Sequence, residues 1–226
     1  MPRPLAILRP QPGWDSTAEL ARSRGIAAIG HPLSAYEPIA WSLPDGAFDA
    51  ILAGSAAVFR HGGPALAQLR GLPVLAVGKS TADAARGAGF RVAATGRGGL
   101  QTVLETAGND WPRLLRLMGD ERVDLEPMPG QQIEERVVYR VRSVPLETAF
   151  ASEIGLLRPV IALHSAATAR HFRSECQRLG IDLPRLELLA LGPRIAEAAG
   201  EGWLAVHSAE TPSDAALIGK AAALCK

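Results

Sequence analysis

Apolar residues along this chain alternate between short unbroken runs and longer stretches in which they recur every three or four positions. The runs at 5–8, 50–52, 74–77, 160–163 and 186–191 read as strands covered on both faces, the pattern of a parallel sheet. Helical patterns follow them. Ser16-Thr17-Ala18-Glu19 has the form of a capping box, with Gly25 as the stop. After Ser165, the residues Ala169, Phe172, Cys176 and Leu179 trace one helical face that Gly180 closes. Thr211 before Pro212 reads as an N-cap with proline in the first helical position. Strand and helix alternate throughout, which predicts a doubly wound α/β architecture.

The pattern is written twice. SAAVFRH at 55–61 and SAATARH at 165–171 agree at Ser55/Ser165, Ala56/Ala166, Ala57/Ala167, Arg60/Arg170 and His61/His171, each after an apolar run. Downstream, VLAVGKSTADAARGAGFRV (74–92) aligns with LLALGPRIAEAAGEGWLAV (188–206). Gly78 meets Gly192, and Ala84-Ala85 meets Ala198-Ala199. After a one-residue deletion Gly89-Phe90 meets Gly202-Trp203. This is an internal duplication. Ser55 and Ser165 fall where a strand gives way to a helix, and small Ala56 and Ala166 leave backbone amides approachable. Ligands of open α/β sheets bind beyond the carboxyl ends of strands, and helix N-termini attract anions. The repeated phrases are therefore either the walls of two facing half-sites or a good helix start copied by duplication.

Composition narrows the classes. The 226 residues suffice for one large domain or two small ones, and 47% hydrophobic content supports a packed core. A net charge of +1 argues against a nucleic-acid partner. No apolar run is long enough for a membrane span or a signal-peptide core, so a cytoplasmic protein is expected, acting as a monomer. Cys176 and Cys225 have no CxxC neighbour, which speaks against a disulfide framework or a zinc site. The five histidines show no metal-binding spacing, and His61 and His171 are expected on exposed helix faces. VGKS at 77–80 ends like a phosphate-binding loop, but Pro73 stands where that loop needs glycine. GRGG at 96–99 lacks dinucleotide spacing, and no G-x-S-x-G occurs. No metal or cofactor is expected.

A set of ordered phrases remains: ILRP (7–10), VGKSTADAARGAGF (77–90), IEERVVYRV (133–141), LGPRIAEAA (191–199) and AETPSDAAL (209–217). Together they resemble the uroporphyrinogen-III synthase family over nearly the whole chain. The resemblance implies two flavodoxin-like domains, each a doubly wound parallel sheet, joined by a two-stranded hinge. One domain is discontinuous, 1–33 plus 144–226, with 36–140 inserted and hinge segments near 31–38 and 139–145. It implies a cofactor-free lyase that cyclises hydroxymethylbilane, a linear tetrapyrrole, to uroporphyrinogen III. Tyr139 matches the family's hinge-strand tyrosine, as proton donor or as a strand anchor. Thr81 matches a threonine at a helix start, as ligand contact or N-cap. Arg9 reaches a substrate carboxylate or closes an ion pair. Ser55, Ala56, Lys79, Ser165, Ala166, Gly192 and Arg194 complete the expected substrate contacts. The sequence departs from the family at Arg194-Ile195, where threonines are common, and at Met118-Gly119-Asp120. A non-catalytic two-lobed module for an anionic small molecule is the competing reading.

Overall fold

The computed structural model describes residues 2–121 and 123–226. In chain order the strands are β1 (Leu5–Ile7), β2 (Ala28–Gly30), β3 (Ser34–Pro38), β4 (Ala50–Ala53), β5 (Val74–Val77), β6 (Val92–Gly96), β7 (Arg113–Gly119), β8 (Gln132–Ser143), β9 (Val160–Leu163), β10 (Glu187–Ala190) and β11 (Ala205–Ser208). The helices are α1 (Gly13–Ser23), α2 (Ala57–His61), α3 (Gly78–Gly87), α4 (Leu100–Ala107), α5 (Thr148–Leu157), α6 (Ala166–Leu179), α7 (Pro193–Ala199) and α8 (Asp214–Leu224). They form two compact units, one of residues 1–35 with 142–226 and one of residues 36–141. Among the described residues no helix is long and apolar enough to cross a membrane.

The first unit holds a sheet in the order β11-β10-β9-β1-β2, with parallel pairing throughout. Alternation along each strand divides its core. Leu5, Ile7, Val160 and Ala162 face α1 and α8, whereas Ala6, Leu8, Ile161 and Leu163 face α5, α6 and α7. The chain leaves β1 toward one face and β9 toward the other. The gap between these two neighbouring strands is therefore the topological switch point, where open α/β sheets bind ligands.

The second unit orders its strands β3-β8-β7-β4-β5-β6, with parallel pairing among β8, β7, β4, β5 and β6. One face packs on α2 and α3 through Ile51, Ala53, Val74, Ala76, Leu115 and Leu117. The other packs on α4 and on Leu125 and Met128 of the segment between β7 and β8. Among its described residues that crossover carries no helix; buried Arg116 pins it, bonding the Val123 carbonyl at 2.6 Å and Glu135 at 2.7 Å. Its switch point lies between β7 and β4. The runs β4-β5-β6 and β9-β10-β11 share order and direction, so the duplicated sequence is a duplicated strand triplet.

Several local expectations need correction. α1 begins at Gly13, so Ser16 is an interior residue whose hydroxyl donates to the Pro12 carbonyl rather than capping. α8 is capped by Ser213, which accepts from the Ala216 N–H at 3.3 Å, and not by Thr211. In both cases a neighbouring polar residue or a longer first turn satisfies the helix start. Gly25 and Gly180 do terminate their helices at φ of 74° and 66°, which glycine adopts without the Cβ penalty.

Candidate active site

The switch point of the second unit is built around Tyr139. β8 runs in register with β7 until Met118 meets Val137; the next pair is Gly119 with Tyr139, so Val138 is an extra residue. This bulge places Val138 and Tyr139 on the same face, both in the α2–α3 core. Bulges of this kind re-aim side chains beside functional sites. The re-aimed ring lies over Gly119, where a Cβ would sit 2.8 Å from Tyr139 Cε2 and Cζ and 3.0 Å from its hydroxyl. Glycine is thus required there by space, not by backbone conformation.

Tyr139 is 7% exposed. Burial pushes its phenol above the ordinary value, with smaller upward pushes from Tyr36, Asp120 and Glu121. A hydrogen bond with the Ser55 hydroxyl pulls the other way. The phenol is therefore a protonated donor at neutral pH. Tyr36 stands edge-on to it, with ring centres 5.7 Å apart and 69° between planes. His61 stacks on Tyr36 at 4.7 Å and 16°, and its ring centre is 6.4 Å from that of Tyr139. Burial, helped by Arg60, lowers the His61 pKa and keeps the imidazole neutral. Ser55 also accepts from the Ala57 N–H at 3.2 Å, ordering the first turn of α2.

The corresponding place in the first unit has different chemistry. Ser165 caps α6, accepting from the Thr168 N–H at 3.1 Å and donating to Thr168 Oγ1 at 2.9 Å. His164 before it has a side chain only 6% exposed, and its Nε2 lies 3.2 Å from Asp214 Oδ1. The angles are not those of a hydrogen bond, which leaves both ring nitrogens buried without a hydrogen-bond partner among the described residues. Burial lowers the His164 pKa; the Asp214 carboxylate opposes that, and Arg9 adds to it. Arg9 bonds Asp214 at 3.1 Å and Thr17 at 3.2 Å, so its guanidinium closes an ion pair across α1 and α8. A Cβ at Gly13 would meet that guanidinium at 2.3 Å, so glycine clears its seat.

The other expected contacts divide. Gly192 caps α7, and Arg194 stands exposed in its first turn. Ile195, at a common threonine position of the resembling family, packs instead against the α5–α7 core. Lys79 is 89% exposed and paired with Asp83 one turn on, at 2.5 Å. Thr81 is buried inside α3, four residues into the helix, so it is no N-cap. Ala166 is half-buried, whereas Ala56 is buried, so its side chain is not free to face a ligand. His61 and His171 are half-buried rather than exposed: His61 is held in the aromatic stack and His171 Nε2 lies 2.8 Å from the Val144 carbonyl. Sequence reasoning did not foresee that Tyr36, His61 and Gly119 gather around Tyr139. The repeat pointed at His61, but an aromatic stack across two strands and a helix leaves no spacing signal. Among the described residues no group of histidine, cysteine and carboxylate side chains could hold a metal ion.

The family model described as Uroporphyrinogen-III synthase HemD matches residues 15–219. No curated protein sequence matches the chain. Among solved structures, uroporphyrinogen-III synthetase from Helicobacter pylori aligns with a TM-score of 0.68 at 18% identity, covering 98% of this chain and 99% of that one. A mutant uroporphyrinogen III synthase from the extremely thermophilic bacterium Thermus thermophilus aligns with a TM-score of 0.51 at 18% identity, covering 99% of this chain and 100% of that one. At that identity the structural likeness speaks for the fold, and the family match speaks for descent.

Proposed function

The chain belongs to the uroporphyrinogen-III synthase family, with a role in tetrapyrrole biosynthesis, and on that premise we propose that it closes hydroxymethylbilane to uroporphyrinogen III with Tyr139 as the proton donor. The observation that supports this role is the aimed phenol: a strand bulge turns Tyr139 over Gly119 beside Ser55, at a switch point, and burial keeps it protonated.

The chemistry needs little more. The C–O bond of the terminal hydroxymethyl group breaks, and its oxygen takes the Tyr139 proton and leaves as water. The nitrogen lone pair of that pyrrole fills the vacancy, leaving an azafulvenium cation. The substituted α-carbon of the last ring attacks this cation and gives a spiro centre. The bond from that carbon to its old bridge then breaks, its electron pair restoring the last pyrrole and the bridge carbon becoming an azafulvenium on the adjoining ring. The freed bridge carbon bonds the ring's open α-carbon, which loses its proton to the Tyr139 phenolate. One water leaves, no electrons are exchanged, and the ring ends inverted. General acid catalysis of this kind contributes roughly 10²–10⁴-fold. A phenol above its ordinary pKa is a weak acid but serves where the leaving group is hydroxide. We take the enzyme to act as a cytoplasmic monomer without a nucleic-acid partner.

The test is incubation with freshly prepared hydroxymethylbilane and determination of the uroporphyrinogen isomers. Isomer III above the spontaneous isomer I supports the reading. Tyr139→Phe keeps the ring and its packing, and is expected to lower isomer III formation by about 10²-fold with the fold intact. Isomer I alone from the parent protein leaves a non-catalytic binding module. An unchanged rate in Tyr139→Phe makes the tyrosine a strand anchor.

A further inference from the structure

We propose that Tyr36 and His61, with Tyr139, form an aromatic platform that stabilises the azafulvenium cation formed as water leaves. This rests on the reaction proposed above. Three observations carry it. The three rings come from separate elements, β3, α2 and β8, yet their centres lie within 4.7 to 6.4 Å of one another. They gather around the one hydroxyl assigned to protonate the leaving group, so the cation is born beside them. Tyr36 and His61 are only half-buried, which leaves ring surface for a ligand.

The electrostatics agree in sign. The face of an aromatic ring carries negative potential and attracts a cation, more strongly where water is excluded. Asp120 and Glu121, just beyond β7, raise the Tyr139 pKa, which shows that they place negative potential at the same spot. The arrangement works only while His61 is uncharged, because an imidazolium in the stack would repel the cation. The groups facing His61 are Arg60 on its own helix, Tyr36 from β3 and Tyr139 from β8. Burial and Arg60 both hold its pKa below the ordinary value. The cation exists only after the C–O bond has begun to break. The platform therefore favours the transition state over the bound substrate and acts on kcat rather than KM.

The experiment is steady-state kinetics of isomer III formation by the parent, Tyr36→Leu, Tyr36→Phe and His61→Phe, with thermal unfolding alongside. Tyr36→Leu is expected to lower kcat about tenfold with KM little changed, and Tyr36→Phe, which keeps the ring, to recover most of that loss. In the parent, kcat falls on the acidic side as His61 takes up a proton below its ordinary value; in His61→Phe that limb flattens. A fall in KM-linked affinity with kcat unchanged, or equal losses in Tyr36→Leu and Tyr36→Phe, overturns the platform. An acidic limb that persists in His61→Phe also overturns it, and this decides the matter even if Tyr36→Leu does not fold. Absence of isomer III from the parent would instead refute the underlying reaction.

Discussion

Replacing Gly119 with alanine tests whether the aim of Tyr139 matters, because it moves the ring without touching its chemistry. The backbone at Gly119 lies outside the left-handed region, so alanine brings no conformational penalty there. The added methyl would lie 2.8 Å from two ring carbons and 3.0 Å from the hydroxyl, about half an ångström inside ordinary contact. The neighbour is a rigid ring, not the tip of a flexible chain. It is pinned at its backbone by the Asp120 N–H to Tyr139 carbonyl bond of 3.1 Å and at its edge by Tyr36. Overpacking of this kind costs about 1–3 kcal/mol. For a chain of this size, that is roughly 2–4 °C in melting temperature per kcal/mol. A displacement near 1 Å of a catalytic group costs about 10²-fold in rate, comparable with removing the hydroxyl outright.

The assay is a double-mutant cycle in isomer III rate and in thermal stability, with Gly119→Ala, Tyr139→Phe and the pair. If the glycine serves the phenol, the two rate losses do not add: once the hydroxyl is gone, moving the ring costs little more. The stability losses behave differently, since Phe at 139 keeps the ring that the methyl meets. Rate losses that multiply would show that Gly119 acts by another route. A parental rate in Gly119→Ala would show that the placement of the ring is irrelevant to the reaction, and the argument from the bulge would fail.

Two further outcomes follow from the charged groups. His164 and His61 are both held neutral in the folded protein, with pKa values below 6.5, so the unfolded chain binds more protons below that value. Stability is therefore full above about pH 6.5 and declines on acidification; His164→Phe should flatten the melting-temperature profile between about pH 7.5 and 5, and an unchanged slope would refute this. Glu175 accepts from the Leu146 N–H at 2.7 Å and from Arg178 at 2.6 Å, and the Arg178 bond, with the backbone bond helping, holds its carboxyl down at about 2. Glu175→Gln should cost about 2 kcal/mol at neutral pH by urea unfolding. That cost should shrink as pH falls from the unfolded carboxyl value of 4.5 toward about 2, and a pH-independent difference would refute the assignment.

The strands β1, β4, β5, β9 and β10 and the duplication were legible because buried parallel strands are unbroken apolar runs and their repeat survives in the sequence; the central strand β7 was not, because Arg113 and Arg116 interrupt its apolar run. The helix facing β9 was legible for the same reason, through Ala169, Phe172 and Cys176. Helix starts were less so: Ser16 and Thr211 carry the right side chains, but Pro12 and Ser213 hold the cap positions. Candidate residues at strand ends were found, but their partners were not. Nothing in the spacing of Arg9, Thr17, His164 and Asp214 reveals that they meet, since α1, β9 and α8 bring them together from distant parts of the chain. The bulge at Val138 is equally silent, because one extra residue in a strand leaves the apolar alternation readable in two registers.

The two copies of the repeat differ at the strand end where the proton donor is proposed. Each copy supplies a serine after its central strand, Ser55 after β4 and Ser165 after β9. In the first unit the residue before that serine is His164, buried against Asp214, and the serine itself is spent as the cap of the 14-residue α6. In the second unit the preceding residue is Gly54, and Ser55, which accepts from the Ala57 N–H much as Ser165 accepts from that of Thr168, turns its hydroxyl to Tyr139 rather than to a residue of its own helix. The deciding difference lies in strands outside the repeated triplet. Beside β1 the edge strand β2 has three residues and ends opposite Ile7, at Gly30. Beside β7 the strand β8 has twelve residues and carries on past the sheet's carboxyl edge. Only the longer strand can hold a bulge at that edge and deliver a side chain over its neighbour's last residue. Duplication thus left two similar strand ends, and it is the length of an unrepeated neighbour that sets the proposed proton donor over one of them.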